Sequence, residues 1–274
     1  MKKSGQTADF SDCLKEYLTA WDSYRARGVS QQLDLTDKEN RFDHDWKRTH
    51  YFSVGQDALE VMVKALIGRS RPMPKRILDF PSGSGRVTRH MQAFFDKSEI
   101  TASDLYEPHL SFCEETFGVN SFLSREDLQT LNAPEKYDLI FCGSLLTHLP
   151  AQKFLDVIDF VRRSLAESGL AIFTLQGRYS DHAQRNVFKY LSDTLYEVAR
   201  EDVEKSGFGY VDYGHPLKSV FNKQENYGIA LVRGSWVSRQ LEPFTDIRLV
   251  SYIERGWDSH QDVCIIQKTD IFAK

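Results

Sequence analysis

The chain has 274 residues, of which 41% are hydrophobic and 12% aromatic, enough apolar material for one large core or two small ones. This composition excludes intrinsic disorder for most of the chain. Its 35 basic and 39 acidic residues leave a net charge of −4, so no global positive field exists to hold a polyanion such as duplex DNA. No run approaches the roughly 18 apolar residues that a membrane helix requires. We therefore expect a soluble, unexported protein.

The cysteines bear on metal binding and on the redox compartment. They lie far apart and form no CxxC pair, which indicates neither a zinc cluster nor a disulfide framework: Cys13, Cys113, Cys142 and Cys264. Such cysteines suit a reducing cytoplasm. We expect no metal site.

The first 70 residues contain two helical patterns. In residues 8–27 the apolar residues recur three or four apart, and Gly28 follows as a helix stop. Residues 29–50 are polar and without a pattern. A second helix is predicted for QDALEVMVKALIG, which ends at Gly68, and the prolines of the following RSRPMPK indicate a turn.

Strands and helices then alternate. The predicted strands lie in RILDF, EITASD, VNSFLS, KYDLIFCGS and GLAIFTL, and the predicted helices lie in RVTRHMQAFF, YEPHLSFCEETFG and AQKFLDVIDFVRRSLAESG. This alternation predicts an α/β fold, a doubly wound, mostly parallel sheet covered on both faces. Beyond Leu175, residues 181–206 look helical and 207–240 have no clear period. DIRLVSYIE and DVCIIQK predict a terminal β-hairpin.

A glycine loop follows the first strand in ILDFPSGSGRVTR. Asp79 ends the strand, and Gly83 and Gly85 lie in the turn that enters a helix. Such a turn lets backbone N–H groups approach a ligand closely. The alternative is that the two glycines serve turn geometry alone.

The second strand ends in another acid, Asp104, where an open α/β sheet places a carboxylate that accepts hydrogen bonds from ribose hydroxyls. The alternative is that Asp104 caps the helix that begins near Tyr106. Thr88 stands where a dinucleotide fingerprint has its third small residue, and Asp79 would repel a diphosphate. An acid beneath the loop suits a ligand with an amino group or a sulfonium.

With these motifs, roughly residues 50–175 resemble the class I S-adenosylmethionine-dependent methyltransferases, and the closing hairpin resembles them in topology. The resemblance implies a Rossmann-like sheet of seven strands whose last strand runs antiparallel, with S-adenosyl-L-methionine as cofactor. We expect a helical cap at 1–70 and a methyltransferase domain at 71–274, with an acceptor-binding insertion at 176–245.

The resemblance also implies which residues bind the cofactor. In the first loop, Asp79, Pro81, Gly83 and Gly85 would cradle the methionyl part, and at the end of the second strand Asp104 with Leu105 would bind the ribose. After the third strand Asp127, with Glu126 second to it, would bind the adenine. The backbone after the fourth strand, from Cys142 through Gly143 to Ser144, would border the methionyl group. Pro81 departs from the glycine that many members carry, and it removes one N–H donor. Asp127 has the alternative of a solvated helix cap.

Methyl transfer requires the nucleophile, the methyl group and the leaving sulfur to be aligned. For a hydroxyl acceptor a histidine near neutral pKa would be an apt base, and His148 follows the fourth strand at the carboxyl edge of the sheet. The alternative is that His148 packs over the cofactor or caps the helix that starts at Pro150.

Residues at the same edge are candidates for acceptor binding: Arg178 and Tyr179 after the fifth strand; Trp257, His260 and Asp262 in the hairpin turn; and Tyr210, Tyr213, His215 and Tyr227 in the insertion. Ordinary turn and core packing would explain the same residues. Tyr51 and Phe52 either close over the cofactor or fasten the N-terminal helices to the sheet.

The class of molecule that accepts the methyl group is narrowed mainly by the absence of one motif. The Asn/Asp-Pro-Pro-aromatic tetrapeptide of amino methyltransferases that act on bases or glutamine amides is absent, because the chain reads Gly143-Ser144-Leu145-Leu146 at this position. Nucleic acid is therefore disfavoured, and we expect O-methylation of a small molecule or a glycan. Two alternatives stay open: an NAD(P)-dependent oxidoreductase or epimerase, and a non-catalytic partner protein that binds the cofactor.

Overall fold

The computed structural model describes residues 10–37, 42–187, 191–213 and 226–269. The strands in chain order are β1 (Arg76–Asp79), β2 (Glu99–Asp104), β3 (Asn120–Leu123), β4 (Tyr137–Cys142), β5 (Leu165–Leu175), β6 (Phe208–Asp212), β7 (Gly228–Val232), β8 (Ile247–Trp257) and β9 (Gln261–Lys268).

The described helices are α1 (Phe10–Arg27), α2 (Asp45–Gly68), α3 (Thr88–Phe94), α4 (Glu107–Phe117), α5 (Ala151–Ser164), α6 (Arg178–Asn186), α7 (Asp193–Ser206) and α8 (Gly234–Leu241). Gly28 and Gly118 follow α1 and α4 with positive φ, 71° and 66°, the left-handed conformation that ends helices. No helix in the described ranges has the length and hydrophobicity needed to cross a membrane.

The central sheet has seven strands in the order β3-β2-β1-β4-β5-β9-β8. Strands β1 to β5 pair in parallel, and β9 lies antiparallel between β5 and β8. This confirms the doubly wound fold with a terminal antiparallel hairpin. Because β8 runs parallel to β5, the β8–β9 turn lies at the edge where β1, β2, β4 and β5 end.

Helix α2 is longer than the sequence pattern predicted, because it begins at Asp45 and not near residue 56. Gly55 interrupts the apolar pattern but lies inside the helix, where a Cβ would overlap the Arg86 carbonyl oxygen and lie 2.6 Å from the His90 ring. The close approach of α3 therefore explains the glycine. Tyr51 and Phe52 are part of α2 and do not precede it.

The boundary between α5 and β5 also differs from the prediction, which extended the helix to Gly169. The helix ends at Ser164, and Leu165 pairs with Tyr137 of β4. Ser168 has a φ of 63°, and a Cβ on Gly169 would lie 2.8 Å from the Tyr137 carbonyl oxygen. The pairing with β4 thus overrides the helical pattern of LAESG.

The insertion after β5 contains a small sheet that the sequence pattern did not predict, and the helical stretch 181–206 divides into α6 and α7. Strands β6 and β7 pair antiparallel, and β7 is nearly all buried apolar residues without the alternation of a half-exposed strand. The N–H groups of Gly228 and Ala230 donate to the backbone carbonyls of His148 and Thr147, respectively. The N–H of Val232 donates to the backbone carbonyl of Gln176. Strand β7 therefore covers the loops after β4 and β5.

Two apolar layers enclose the sheet. One packs α1 to α4 against β1, β2 and the hairpin residue Trp257, and the other packs α5, α8 and the insertion against the opposite face. The seven residues Tyr196, Ala199, Val203, Val211, Tyr213, Ile229 and Leu231 form a smaller cluster between α7 and the β6–β7 sheet. The carboxyl edge of the sheet lies between the helical N-terminus and this insertion.

Candidate active site

A cavity of about 670 Å³ opens at the carboxyl edge of the sheet. Its size is typical of a small-molecule or cofactor site. Thirteen residues named as candidates from the sequence line it: Asp79, Pro81, Gly83, Asp104, Leu105, Glu126, Gly143, Ser144, His148, Tyr213, Tyr227, Trp257 and His260. Gly85, Asp127, Arg178 and Tyr179 are not among the residues that line it.

Gly83 and Gly85 have different environments in the loop after β1. Both have positive φ, 51° and 79°. A Cβ on Gly83 would meet nothing within 4 Å, whereas one on Gly85 would overlap the Phe117 ring and lie 3.1 Å from Cys113 Sγ. Gly83 thus faces open space in the cavity, and Gly85 permits α4 to pack against the loop.

Asp104 connects the end of β2 to this loop. Its Oδ2 accepts from Gly83 N–H at 2.9 Å, its Oδ1 accepts from Tyr106 N–H at 2.9 Å, and His109 Nδ1 lies 3.5 Å from Oδ1. A carboxylate offers about four lone-pair sites. Two acceptor positions therefore remain after the backbone bonds.

Asp79 is buried beneath the loop, with 1% of its surface exposed. Thr88 Oγ1 donates to its Oδ2 at 2.6 Å, so the residue that departs from the dinucleotide fingerprint holds the acid. Burial, with Asp104 as a smaller contribution, raises the pKa of Asp79 to about 7 although Thr88 opposes the shift. Within the described residues no basic side chain pairs with Asp79, so the site favours a cationic ligand group.

The N-terminal segment is tied to the loop by Arg89, which is fully buried. Its guanidinium donates to the carbonyls of Gly85 (3.0 Å), Ser30 (3.0 Å) and Gln32 (2.8 Å), and lies over the Tyr51 ring. Burial lowers the pKa of Arg89. The sequence pattern gave no reason to single out this arginine, because its partners are carbonyls far away in the chain.

Asp37 is a second contact that sequence reasoning missed. This buried acid lines the cavity and accepts from Ser84 Oγ at 2.5 Å. Tyr51 OH donates to the Ser84 carbonyl at 3.4 Å. Tyr51 and Phe52 are not among the residues lining the cavity, and both rings contact the Arg89 guanidinium.

The segment after β3 contributes the residues before Asp127. Ser124, Arg125 and Glu126 line the cavity. The Asp127 carboxylate instead accepts from Gln129 N–H (3.1 Å) and Thr130 Oγ1 (3.0 Å), a local turn.

The backbone after β4 is fixed by three polar side chains. Ser144, at φ 57°, donates its N–H to Thr174 Oγ1 at 2.7 Å. Thr174 donates to Gln261 Oε1 at 2.6 Å, and Gln261 Nε2 donates to Ser144 Oγ at 2.9 Å. The Gly143–Ser144 backbone is therefore held to β5 and β9.

His148 lies between this loop and the insertion. Its Nδ1 is 2.8 Å from the Gly228 carbonyl oxygen, and since a carbonyl only accepts, Nδ1 carries the proton and Nε2 the lone pair. The ring stacks on Tyr227, with centroids 4.6 Å apart and an interplanar angle of 24°. Burial lowers the pKa of His148 to about 4, so the imidazole is neutral near pH 7.

The β8–β9 turn forms the wall beside α2. Trp257 is buried, donates from Nε1 to the Val54 carbonyl at 3.0 Å, and meets Phe141 edge to face. Asp258 N–H donates to Asp57 Oδ2 at 2.5 Å, and burial, with Asp57 opposing ionisation, raises the pKa of Asp258. Burial lowers the pKa of His260, the next residue of the turn that lines the cavity.

The remaining candidates lie behind this wall. Arg178 forms a bidentate pair with Glu254, with both distances 2.6 Å. Tyr179 lies under the Arg255 guanidinium and against His260. Asp262 accepts from Tyr252 OH and Arg255 N–H.

In the insertion, Tyr213 and Tyr227 line the cavity, whereas Tyr210 packs against the core. His215 lies outside the described residues. No group of three or more His, Cys, Asp or Glu side chains in the described ranges is arranged to hold a metal ion.

Comparison with known proteins agrees with this geometry. Residues 77–169 match a family model described as a methyltransferase domain, and no curated protein sequence matches the chain. This match to a methyltransferase domain confirms the resemblance drawn from the glycine loop and the two acids.

Solved structures share the fold at low sequence identity. An S-adenosylmethionine-dependent methyltransferase from Clostridium acetobutylicum ATCC 824 is 16% identical, with a TM-score of 0.54 over 86% of this chain and 96% of that one. An O-methyltransferase family protein from Burkholderia thailandensis is 12% identical, with a TM-score of 0.52 over 97% and 74%.

The 1,6-didemethyltoxoflavin-N1-methyltransferase of Burkholderia thailandensis is 14% identical, with a TM-score of 0.50 over 95% of this chain and 87% of that one. One neighbour is described as an O-methyltransferase and another as an N-methyltransferase. The shared fold therefore does not select the acceptor atom.

Proposed function

We propose that this chain is an S-adenosyl-L-methionine-dependent methyltransferase that methylates an oxygen atom of a small molecule or a glycan. The observation that carries the proposal is the pair of acids on either side of Gly83. Asp79 is buried beside the cavity without a described cationic partner, and Asp104 keeps two acceptor positions. A ligand with a cationic amino-acid end and a ribose satisfies both.

The lining residues fit this cofactor along the length of the cavity. Asp79 would bind the cationic methionyl end, Asp104 the ribose hydroxyls, and the open face at Gly83 would let the ligand approach the loop. Leu105 and the segment Ser124–Glu126 would border the adenine, in place of the predicted Asp127. Pro81 offers no N–H, so the carboxylates carry more of the binding than the loop backbone does.

The bound cofactor supplies an electrophilic methyl group on a sulfonium. The chain's own task is alignment, for which the Ser144–Thr174–Gln261 bonds hold the backbone after β4 rigid. His148 lines the cavity with a neutral imidazole, and because burial lowers its pKa to about 4 it would be a weak base for a hydroxyl proton that acts mainly through its position. Trp257 and Ile229 of β7 line the cavity and would shield the transferred group from water.

The same proposal places the enzyme in the cytoplasm, without nucleic acid or membrane as a partner. All four cysteines are buried and free, which supports a reducing compartment. The net charge of −4 gives no general attraction for polyanions.

A turnover screen tests the proposed function. The purified chain is incubated with methyl-labelled S-adenosylmethionine and either a pool of hydroxylated small molecules or a pool of sugars, and label transfer to an acceptor oxygen is measured. Asp79→Asn serves as the impaired control. Transfer to nitrogen alone would contradict O-methylation, and tight cofactor binding without transfer to either pool or to a cell extract would favour the non-catalytic partner.

A further inference from the structure

Part of the cavity wall is apolar and aromatic, and we call this part the slot. Leu145, Leu149 and Ile229 line it together with the stacked rings of His148 and Tyr227. Tyr213 is tilted by 51° to Tyr227. Aromatic faces of this kind favour another flat ring in an offset stack.

One polar side chain in this slot is buried and oriented. Gln176 directly follows β5, lines the cavity and is 6% exposed. Its Oε1 accepts from Gln184 Nε2 at 2.5 Å, which fixes the rotation of the amide. Its own Nε2 bonds to none of the residues that the structure describes. This N–H donor can therefore donate to an accepting oxygen of a ligand in the cavity.

Two other polar side chains near the slot, Gln261 and His148, are engaged in hydrogen bonds. Gln261 is bonded through both its amide atoms to Thr174 and Ser144, and the His148 Nδ1 bonds to Gly228. A sugar presents several hydroxyls that each need a partner on burial. The slot therefore suits an aromatic ring with few polar substituents better than it suits a glycan.

On the assumption that the proposed function is correct, we propose that the acceptor is a flat aromatic molecule with a hydrogen-bond-accepting oxygen. Its ring lies against Tyr227, and the Gln176 amide N–H donates to its oxygen. Gln176 is then the residue that determines specificity for an oxygenated ring.

The test separates cofactor binding from acceptor binding. The full chain is first titrated with S-adenosylhomocysteine, and the saturated complex is then titrated with 7-hydroxycoumarin, 2-naphthol or methyl α-D-glucopyranoside. We expect the two aromatic probes to bind with dissociation constants below about 1 mM and the glucoside to bind more weakly than both. Failure of S-adenosylhomocysteine to bind would overturn the proposed function. Cofactor binding with no aromatic binding, or with a preference for the glucoside, would overturn the acceptor proposal alone.

Two substitutions of Gln176 test its role. Gln176→Leu removes the Nε2 donor. Gln176→Glu keeps a side-chain oxygen that accepts from Gln184, but it replaces the donor by a negatively charged oxygen that repels the oxygen of the probe. We expect both to weaken 7-hydroxycoumarin binding about tenfold or more, with S-adenosylhomocysteine affinity unchanged within about twofold.

Tyr227→Ala is expected to weaken both aromatic probes, and Gln152→Leu, an exposed change on α5 outside the cavity, is expected to change nothing. Equal 7-hydroxycoumarin binding by the wild type and Gln176→Glu would overturn the role of Gln176. Equal binding by the wild type and Tyr227→Ala would overturn the stacked position of the ring.

Discussion

The Oδ2 atom of Asp104 accepts a hydrogen bond from the backbone N–H of Gly83 at 2.9 Å. The acid at the end of β2 thereby fixes the loop after β1. One carboxylate thus shapes the loop and keeps acceptor positions for a ligand. The geometry ties the local fold of the glycine loop to the proposed cofactor site.

Replacement of Asp104 should weaken cofactor binding strongly. Asp104→Asn keeps the side-chain shape but replaces one carboxylate oxygen by an amide NH₂ group. That group is a donor, and it would face the N–H of Gly83 or of Tyr106. Each lost charge-assisted hydrogen bond is worth about 1.5 to 3 kcal/mol, so we expect S-adenosylhomocysteine affinity to fall about tenfold or more. Calorimetry with Asp127→Asn as the matched control, an acid outside the cavity lining, checks this. Equal losses in the two variants would remove the special role of Asp104.

Cofactor affinity should depend on pH through Asp79. Its pKa is about 7 in the ligand-free protein, and a cationic ligand group binds the ionised form and lowers that pKa. Binding below pH 7 therefore releases a proton, and the affinity for S-adenosylhomocysteine should fall as the pH drops from 7.5 to 5.5, by up to about tenfold per unit. Titrations across this range measure the slope. A flat profile would contradict the assignment of Asp79 to the cationic end.

The same residue should limit the stability of the ligand-free protein. Because the folded pKa of Asp79 lies above its ordinary 3.8, the folded state binds more protons between these values, and this group lowers stability as the pH rises toward 7. Asp79→Asn should therefore unfold at a higher urea concentration than the wild type at pH 8, and the difference should shrink toward pH 5. A larger difference at pH 5 than at pH 8 would refute this account.

Trp257 should contribute stability through its indole N–H as well as its packing. Trp257→Phe loses the bond to the Val54 carbonyl, which keeps its partner within α2, so the loss should cost about 0.5 to 1.5 kcal/mol of unfolding free energy. Urea unfolding measures the loss. Trp46→Phe is the control, because Trp46 is 64% exposed and should change the free energy by less than about 0.5 kcal/mol.

His148 should affect turnover and leave cofactor binding intact. His148→Asn removes the basic Nε2, and we expect slower methyl transfer to an acceptor found in the screen, by about a hundredfold if general base catalysis operates. S-adenosylhomocysteine affinity should stay within about twofold. Because the pKa of His148 is about 4, any change in wild-type turnover near pH 6.5 should come from another group. The same change should therefore persist in His148→Asn. Unchanged turnover would leave His148 with only its contacts to Gly228 and Tyr227.

The sheet was predictable because its signals are local. Buried apolar strands, glycine stops and the alternation with helices lie within short stretches, and they predicted β1 to β5, the terminal hairpin and the acids that end β1 and β2. The start of α2 and the strand β7 were missed for physical reasons. Gly55 breaks the apolar pattern of a helix that α3 approaches closely, and β7 is buried on both faces, so it lacks a period of two.

The candidate site was partly predictable for the same reason. Residues at strand ends could be placed at one edge from topology alone, as for Asp79 and His148. Arg89, Asp37 and Gln176 act through partners that only the folded chain brings near: the carbonyls of residues 30 and 32, the Ser84 hydroxyl and the Gln184 amide. Tyr179 lies outside the cavity lining, and its ring contacts Arg255, a partner 76 residues away in the chain.

Calorimetric titration of the purified chain with S-adenosylhomocysteine tests whether the two acids near Gly83 bind S-adenosylmethionine. NAD and NADP are titrated beside it. We expect micromolar binding of S-adenosylhomocysteine and no binding of either nicotinamide. Binding of the nicotinamides alone, or of none of the three ligands, would show that these acids do not form an S-adenosylmethionine site.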